Sequence, residues 1–273
     1  MPRLKMCRHL IAVTLLLAST LAGQSAPTAE SSRAVMFQFI RFADIFGSRL
    51  VAAFDSIPAN RYAYRPTPPQ QTVGYIAQHL EDANYGLCER FGDAKHPRTA
   101  KDSMADTVKA QWPKDTLVSR LRASLRFCDT ALERVAKLDS PMLASTLLAF
   151  ETDLAEHYSQ ISSYMRLLGM VPPSGLPPRA RKAIELPASA LSPYVGVYEI
   201  TWGLELDVSL RDGALFIKSN MGGPPVQLLP ESANDFFAKG VDAQITFVRE
   251  ASGAVSGLIL HQYGRDQQAT KRR

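Results

Sequence analysis

The hydrophobic period changes once along this chain, and that change limits what it can fold into more than any other feature. From Ala34 to Leu168 apolar residues recur at three- and four-residue spacing; beyond Leu186 they alternate with polar ones. A period near 3.6 lays one apolar stripe along a helix, and a period of two lays one apolar face on a strand. The helical half holds four such stripes. They run from Val35 to Ile57, from Val73 to Phe91, from Val118 to Val135 with Asp115 as the expected N-cap, and from Leu143 to Leu168. Four amphipathic helices bury their stripes most economically as a four-helix bundle. The polar connection from Gly92 to Pro113 is long, so a plain up-down-up-down order is not expected.

Pro172, Pro173, Pro177 and Pro178 stop the fourth helix, and a short basic stretch follows at Arg179–Lys182. Strand-like runs then appear at Val195–Ile200, Leu204–Leu210, Ala214–Ser219, Val226–Leu229, Ala243–Val248 and Val255–Tyr263. Turn signals such as Asp212-Gly213 and Ser252-Gly253 separate them. Short antiparallel strands of this kind make a small barrel or a curled sheet. The expected class is α+β with two domains: a four-helix bundle over residues 34–175, a linker over 176–189 and a small antiparallel β domain over 190–270.

The N-terminus reads as a leader. Arg3, Lys5 and Arg8 precede the apolar run Leu10–Ala18, and small residues follow as far as Ala26. This order marks a signal peptide over residues 1–26, and the run is too short to cross a bilayer comfortably. An uncleaved N-terminal anchor is the alternative. The mature chain is expected to be periplasmic or secreted, with no membrane span after cleavage. Export removes Cys7 and leaves Cys88 and Cys128, an even number in an oxidising compartment, expected to form a disulfide, with two buried thiols as the alternative.

Charge first suggests a nucleic-acid partner, because the formal net charge is +5. Arg3, Lys5, Arg8, Lys271, Arg272 and Arg273 account for all of that excess. The body between them holds one more acidic than basic residue, so no nucleic-acid partner is expected.

One position breaks the helical pattern informatively. His157 lies on the seam of the fourth helix, between Leu154 and Ile161, with Asp153 one turn earlier on the same face. An ionisable pair on a buried stripe is costly unless it is paired, hydrated or bound to a cation. His79 stands at the edge of the second helix's stripe, three residues after Ile76. Bundles build metal sites from inward side chains of different helices. Two imidazoles and one carboxylate form a sound divalent-metal set with positions left for water or substrate. Hydrogen-bonded core histidines are the competing reading. His96, in the polar connection, and His261, beside Leu260, are expected to play no part. No G-x-S-x-G, G-x-G-x-x-G or Walker loop is present, so neither a nucleophile elbow nor a nucleotide cofactor is indicated.

Several segments carry a family resemblance. Asn60–Pro66, Gly74–Leu80 around His79, His157-Tyr158 and Tyr164–Ser174 with its closing Pro-Pro-Ser together resemble the DinB-like four-helix-bundle family over residues 34–175. Members of that family typically hold a divalent metal with three histidines, one on helix two and an H-x3-H pair on helix four. The resemblance implies that His79 and His157 are ligands here, with Asp153 standing where the family has its middle histidine. The surroundings of Cys88 and Cys128 resemble a recurring cysteine pair of exported relatives. Leu191–Glu199, Leu229–Ser232, Asp235–Phe237 and Ile245–Arg249 resemble the small β domain appended to penicillin-binding-protein-like serine hydrolases, which implies an accessory or interaction role.

The function expected is an exported, metal-dependent hydrolase acting on a small molecule, with His79, Asp153 and His157 holding Zn²⁺ or Ni²⁺. Iron is the alternative ion, because two histidines and a carboxylate also form the facial triad of iron oxygenases. The rival function is a non-catalytic binding or scaffold module whose β domain docks a partner. A homodimer is a further option.

Overall fold

The computed structural model describes residues 29–91, 94–96, 99–135, 140–177, 179–200 and 203–272. The expected leader, with Cys7 and His9, lies outside the described residues. Four long helices, α1 (Ala29–Ser56), α2 (Val73–Cys88), α4 (Lys114–Leu132) and α5 (Pro141–Leu167), are accompanied by the single turns α3 (Asp106–Lys109) and α6 (Ala188–Leu191). Eight strands follow: β1 (Gly196–Ile200), β2 (Leu204–Arg211), β3 (Ala214–Ser219), β4 (Val226–Pro230), β5 (Asp235–Ala238), β6 (Gln244–Arg249), β7 (Val255–Gln262) and β8 (Arg265–Lys271). The class is α+β, helices first and strands second. No helix among the described residues is long and apolar enough to cross a membrane.

Local chemistry sets the helix ends. Thr72 caps α2 by accepting from the Tyr75 amide at 3.1 Å. Ser140 caps α5 by accepting from the Leu143 amide at 3.2 Å, with Pro141 at the first helical position, where its missing N–H costs nothing. The far end of α5 closes as a Schellman motif. Gly169 takes φ +74°, its amide bonds to Arg166 O at 3.0 Å, and the Met170 amide bonds to Met165 O at 2.8 Å. For α4 the structure corrects the expected cap: the N-cap is Pro113, and Asp115 lies inside the first turn, where its charge favours the helix N-terminus.

In the bundle α1 packs against α5 and α4, and α2 packs against α4 and α5, so α1 and α2 stand across a diagonal. The order is not plain up-down-up-down. The diagonal steps are α1 to α2 and α4 to α5, however, not the long connection after α2. That connection joins neighbours and contributes α3, which comes so close to α2 that a Cβ on Gly74 would sit 2.2 Å from Ala110 O. Cys88 and Cys128 are joined in a disulfide with their Cα atoms 5.1 Å apart, tying the end of α2 to α4.

The strands form a closed barrel in sequence order, every pair antiparallel, with β8 returning to β1. Reading the sequence found six of the eight. β5 is only four residues long, and β8 (Arg-Asp-Gln-Gln-Ala-Thr-Lys) has one buried side chain, Ala269, so neither shows a usable alternation. One end of the barrel is filled by Tyr194, Tyr198, Phe236 and Phe247, with Tyr194 stacked on Phe247 at 4.4 Å. The other end faces α1, whose Phe37 packs against the barrel core. The β7–β8 turn at Tyr263 and Gly264 (φ 54° and 75°) projects Arg265 onto the bundle, where its Nη1 donates to both carboxylate oxygens of Asp44 of α1 at 2.9–3.0 Å.

Candidate metal centre

α2 and α5 pack side by side, and their facing surfaces bring His79, Asp153 and His157 together. His79 Nε2 stands 3.6 Å and His157 Nε2 3.5 Å from Asp153 Oδ1. One donor atom from each residue lies within 4.8 Å of the others, and the imidazole rings meet edge to face at 4.9 Å. Two donors each bonded to one tetrahedral ion at about 2.1 Å stand about 3.4 Å apart, so the Asp–His separations suit a shared cation. They are also slightly too long for good hydrogen bonds. Asp153 Oδ2 is buried and has no hydrogen-bond partner, an orphaned acceptor of the kind a cation satisfies. On these observations the three residues fit a divalent ion.

His157 is held in a defined orientation. It lies between the fully buried Leu154 and Ile161, and its Nδ1 is 3.0 Å from Gln160 Oε1. Gln160 Nε2 donates to the Tyr164 hydroxyl at 3.1 Å, and that hydroxyl donates to Gln71 O at 3.1 Å. Gln160 Oε1 can only accept, so Nδ1 donates to it and Nε2 is left facing Asp153. Such outer partners fix tautomer and ring angle at metal sites. The chain from Gln160 to Gln71 escaped the sequence reading. Gln160 is three residues after His157 on the same face, so asking where His157 Nδ1 finds its acceptor would have found it.

Electrostatics follow the same geometry. Burial opposes the charge on Asp153, but the two imidazoles favour it more strongly and hold its pKa down at about 2. Burial pulls His157 down, and the Asp153 carboxylate and Gln160 more than reverse this, so its pKa is raised. The three residues open onto a polar cleft of about 710 Å³, walled also by Gln71, Glu156, Ser159 and Ser163. Glu156, adjacent to His157 in sequence, is exposed on that wall.

The other histidines are placed elsewhere. His96 is buried against Tyr85, stacked at 4.5 Å, and bonds to Glu89, so it packs the connection after α2. His261 is half-buried on the barrel exterior between Asp266 (2.6 Å) and Thr246 (3.0 Å).

Comparison with known proteins divides the chain at the same place as its hydrophobic period. No curated protein matches it. One solved structure, described as the crystal structure of SurE with D-Leu, is similar at 22% identity over 43% of this chain and 27% of that one, with a TM-score of 0.28. Two family models match: residues 44–161, which include all three candidate ligands, fit the DinB superfamily, and residues 180–272 fit a domain of unknown function, DUF3471. The chain thus joins a helical region that matches the DinB superfamily to a closed β-barrel that matches DUF3471.

Proposed function

We propose that this protein is an exported, metal-dependent hydrolase of a small polar substrate, with a divalent ion held by His79, Asp153 and His157. The observation that carries the reading is the convergence of two imidazole nitrogens on a carboxylate whose second oxygen is buried and unpartnered. The donor set, two nitrogens and one oxygen, suits Zn²⁺ or Ni²⁺. When bound, such an ion supplies Lewis-acid activation of a substrate carbonyl or of water. The chain's own residues do the rest. Gln160 keeps Nε2 of His157 aimed into the site, Gln71, Ser159 and Ser163 offer polar contacts to a substrate in the cleft, and Glu156 is placed on its wall to take up a proton.

Elemental analysis of untagged protein, purified without chelator, tests this directly. About one equivalent of zinc or nickel per chain, absent from His157→Ala, is expected. Iron in the same amount would move the reading to oxygenase chemistry, and no metal at all would overturn it. Export is supported by the leader-like residues 1–26 and by the disulfide between Cys88 and Cys128. Expression with the native N-terminus should yield a mass shortened by cleavage near Ala22 or Ala26, with both cysteines unreactive to alkylation. Full-length mass with free thiols would contradict it. The second reading, a binding module, is favoured by one observation: the barrel has a cavity of its own, remote in composition from the polar cleft.

A further inference from the structure

The side chains inside the barrel change size along its axis. Along β6 they run Phe247, Ile245 and then Ala243 just before the strand; along β5 they run Phe236 and then Ala238. The large ends meet Tyr194 and Tyr198 in the aromatic plug. The small ends leave a cavity of about 530 Å³. Its wall includes Leu206, Ile217, Ala238, Ala243 and Leu260, and α1 roofs it with Phe37 and Ile40. Close packing is the rule in protein interiors, so an apolar hollow of this size, open on one side, forfeits contacts unless something fills it. An eight-stranded barrel is just wide enough to hold one small ligand, and the volume falls within the usual range for small-molecule sites.

The rim is polar on the α1 side. Arg41 and Gln38 line it, with Arg41 Nη1 donating to Gln38 Oε1 at 3.2 Å. Among the described residues no carboxylate pairs with Arg41; the neighbouring Asp44 is engaged by Arg265. The cavity therefore combines a largely aliphatic interior, interrupted by Ser219, Gln262 and Gln267, with a cationic group at its mouth.

We propose that the barrel binds an amphipathic carboxylate, a saturated or near-saturated acyl chain lying among Leu206, Ile217 and Leu260 with its head at Arg41. The proposal does not depend on the metal reading, because the site shares no residue with His79, Asp153 and His157. The small residues Ala238 and Ala243 make room for the chain, and the aliphatic surface of Leu206, Ile217 and Leu260 makes the chain's length set affinity.

Calorimetric titration of the purified protein with octanoate, decanoate, dodecanoate and decanol tests it. Affinity should rise about fourfold per added methylene until the cavity is full. Decanol should bind more weakly than decanoate, and Arg41→Gln should remove that difference while keeping the chain-length trend. Ala243→Phe should weaken decanoate binding more than tenfold. Ala238→Leu is the milder variant in case the first does not fold, and thermal melts report folding of both. Binding should survive chelator treatment, which separates its failure from failure of the metal site. No binding up to the solubility limit, no dependence on chain length, or equal binding by folded Ala243→Phe and Ala238→Leu would each overturn the proposal.

Discussion

The cleft between α2 and α5 and the cavity at the α1 end of the barrel are both concave, but they are made in opposite ways. In the bundle, polar residues replace apolar ones at seam positions: His157 sits between Leu154 and Ile161, and Asp153 keeps an unpartnered oxygen. In the barrel the inward positions along β5 and β6 stay apolar while their size falls, from Phe236 and Phe247 to Ala238 and Ala243. The first arrangement costs stability unless a cation satisfies it. The second forgoes packing unless a ligand fills it. A polar departure from pattern thus points to chemistry on a group, and a departure in size points to shape.

The largest expected effect separates the two sites. His157→Ala should abolish metal binding while leaving the helical circular-dichroism signal and the barrel's decanoate affinity unchanged; a parallel loss of decanoate binding would show that the sites are coupled. Next in size, replacing both Cys88 and Cys128 by alanine should lower stability by about 4 kcal/mol on the chain-entropy model, since the bridge spans 40 residues. Denaturant melts followed at the bundle should show that loss, whereas the barrel, which holds no cysteine, should unfold at an unchanged midpoint.

The joint between the halves should respond to pH. Burial pushes Asp44 up to about 7 against the pull of Arg265, and nearby Asp129 pushes the same way. A carboxyl whose folded pKa exceeds its unfolded value binds its proton more tightly when folded, so its contribution to stability declines as pH rises from about 4 to about 7. Roughly 2–4 kcal/mol is at stake, and Asp44→Asn should flatten that slope in melts taken across the window. A slope unchanged in Asp44→Asn would assign it to other groups. The smallest effect is at Gln160. Gln160→Leu should weaken metal affinity about tenfold to a hundredfold without removing the site, as outer partners of a liganding histidine do; competition against a chromophoric chelator measures it.

Legibility in the sequence followed the same division. His157 was visible because a titratable residue interrupted an apolar stripe, and its i−4 partner Asp153 and the stripe-edge His79 came with it. The helices of the bundle were visible for the same reason, their period being long and strong. β5 and β8 were not, because barrel closure through backbone hydrogen bonds asks little of a strand's side chains: β8 pairs with β7 along six residues while burying only Ala269. The barrel cavity was invisible too, since Ala238 and Ala243 read as ordinary small residues until the strands bring them to one end. Arg265 and Asp44 are separated by 221 residues, and no local pattern links them.

A zinc titration of metal-stripped protein, wild type beside His157→Ala, read by competition with a chromophoric chelator, tests the metal centre most directly. The prediction is one ion per wild-type chain at micromolar protein or below, and no competition by the variant. Absence of binding by the wild type, or equal binding by the variant, would contradict a metal centre built from His79, Asp153 and His157.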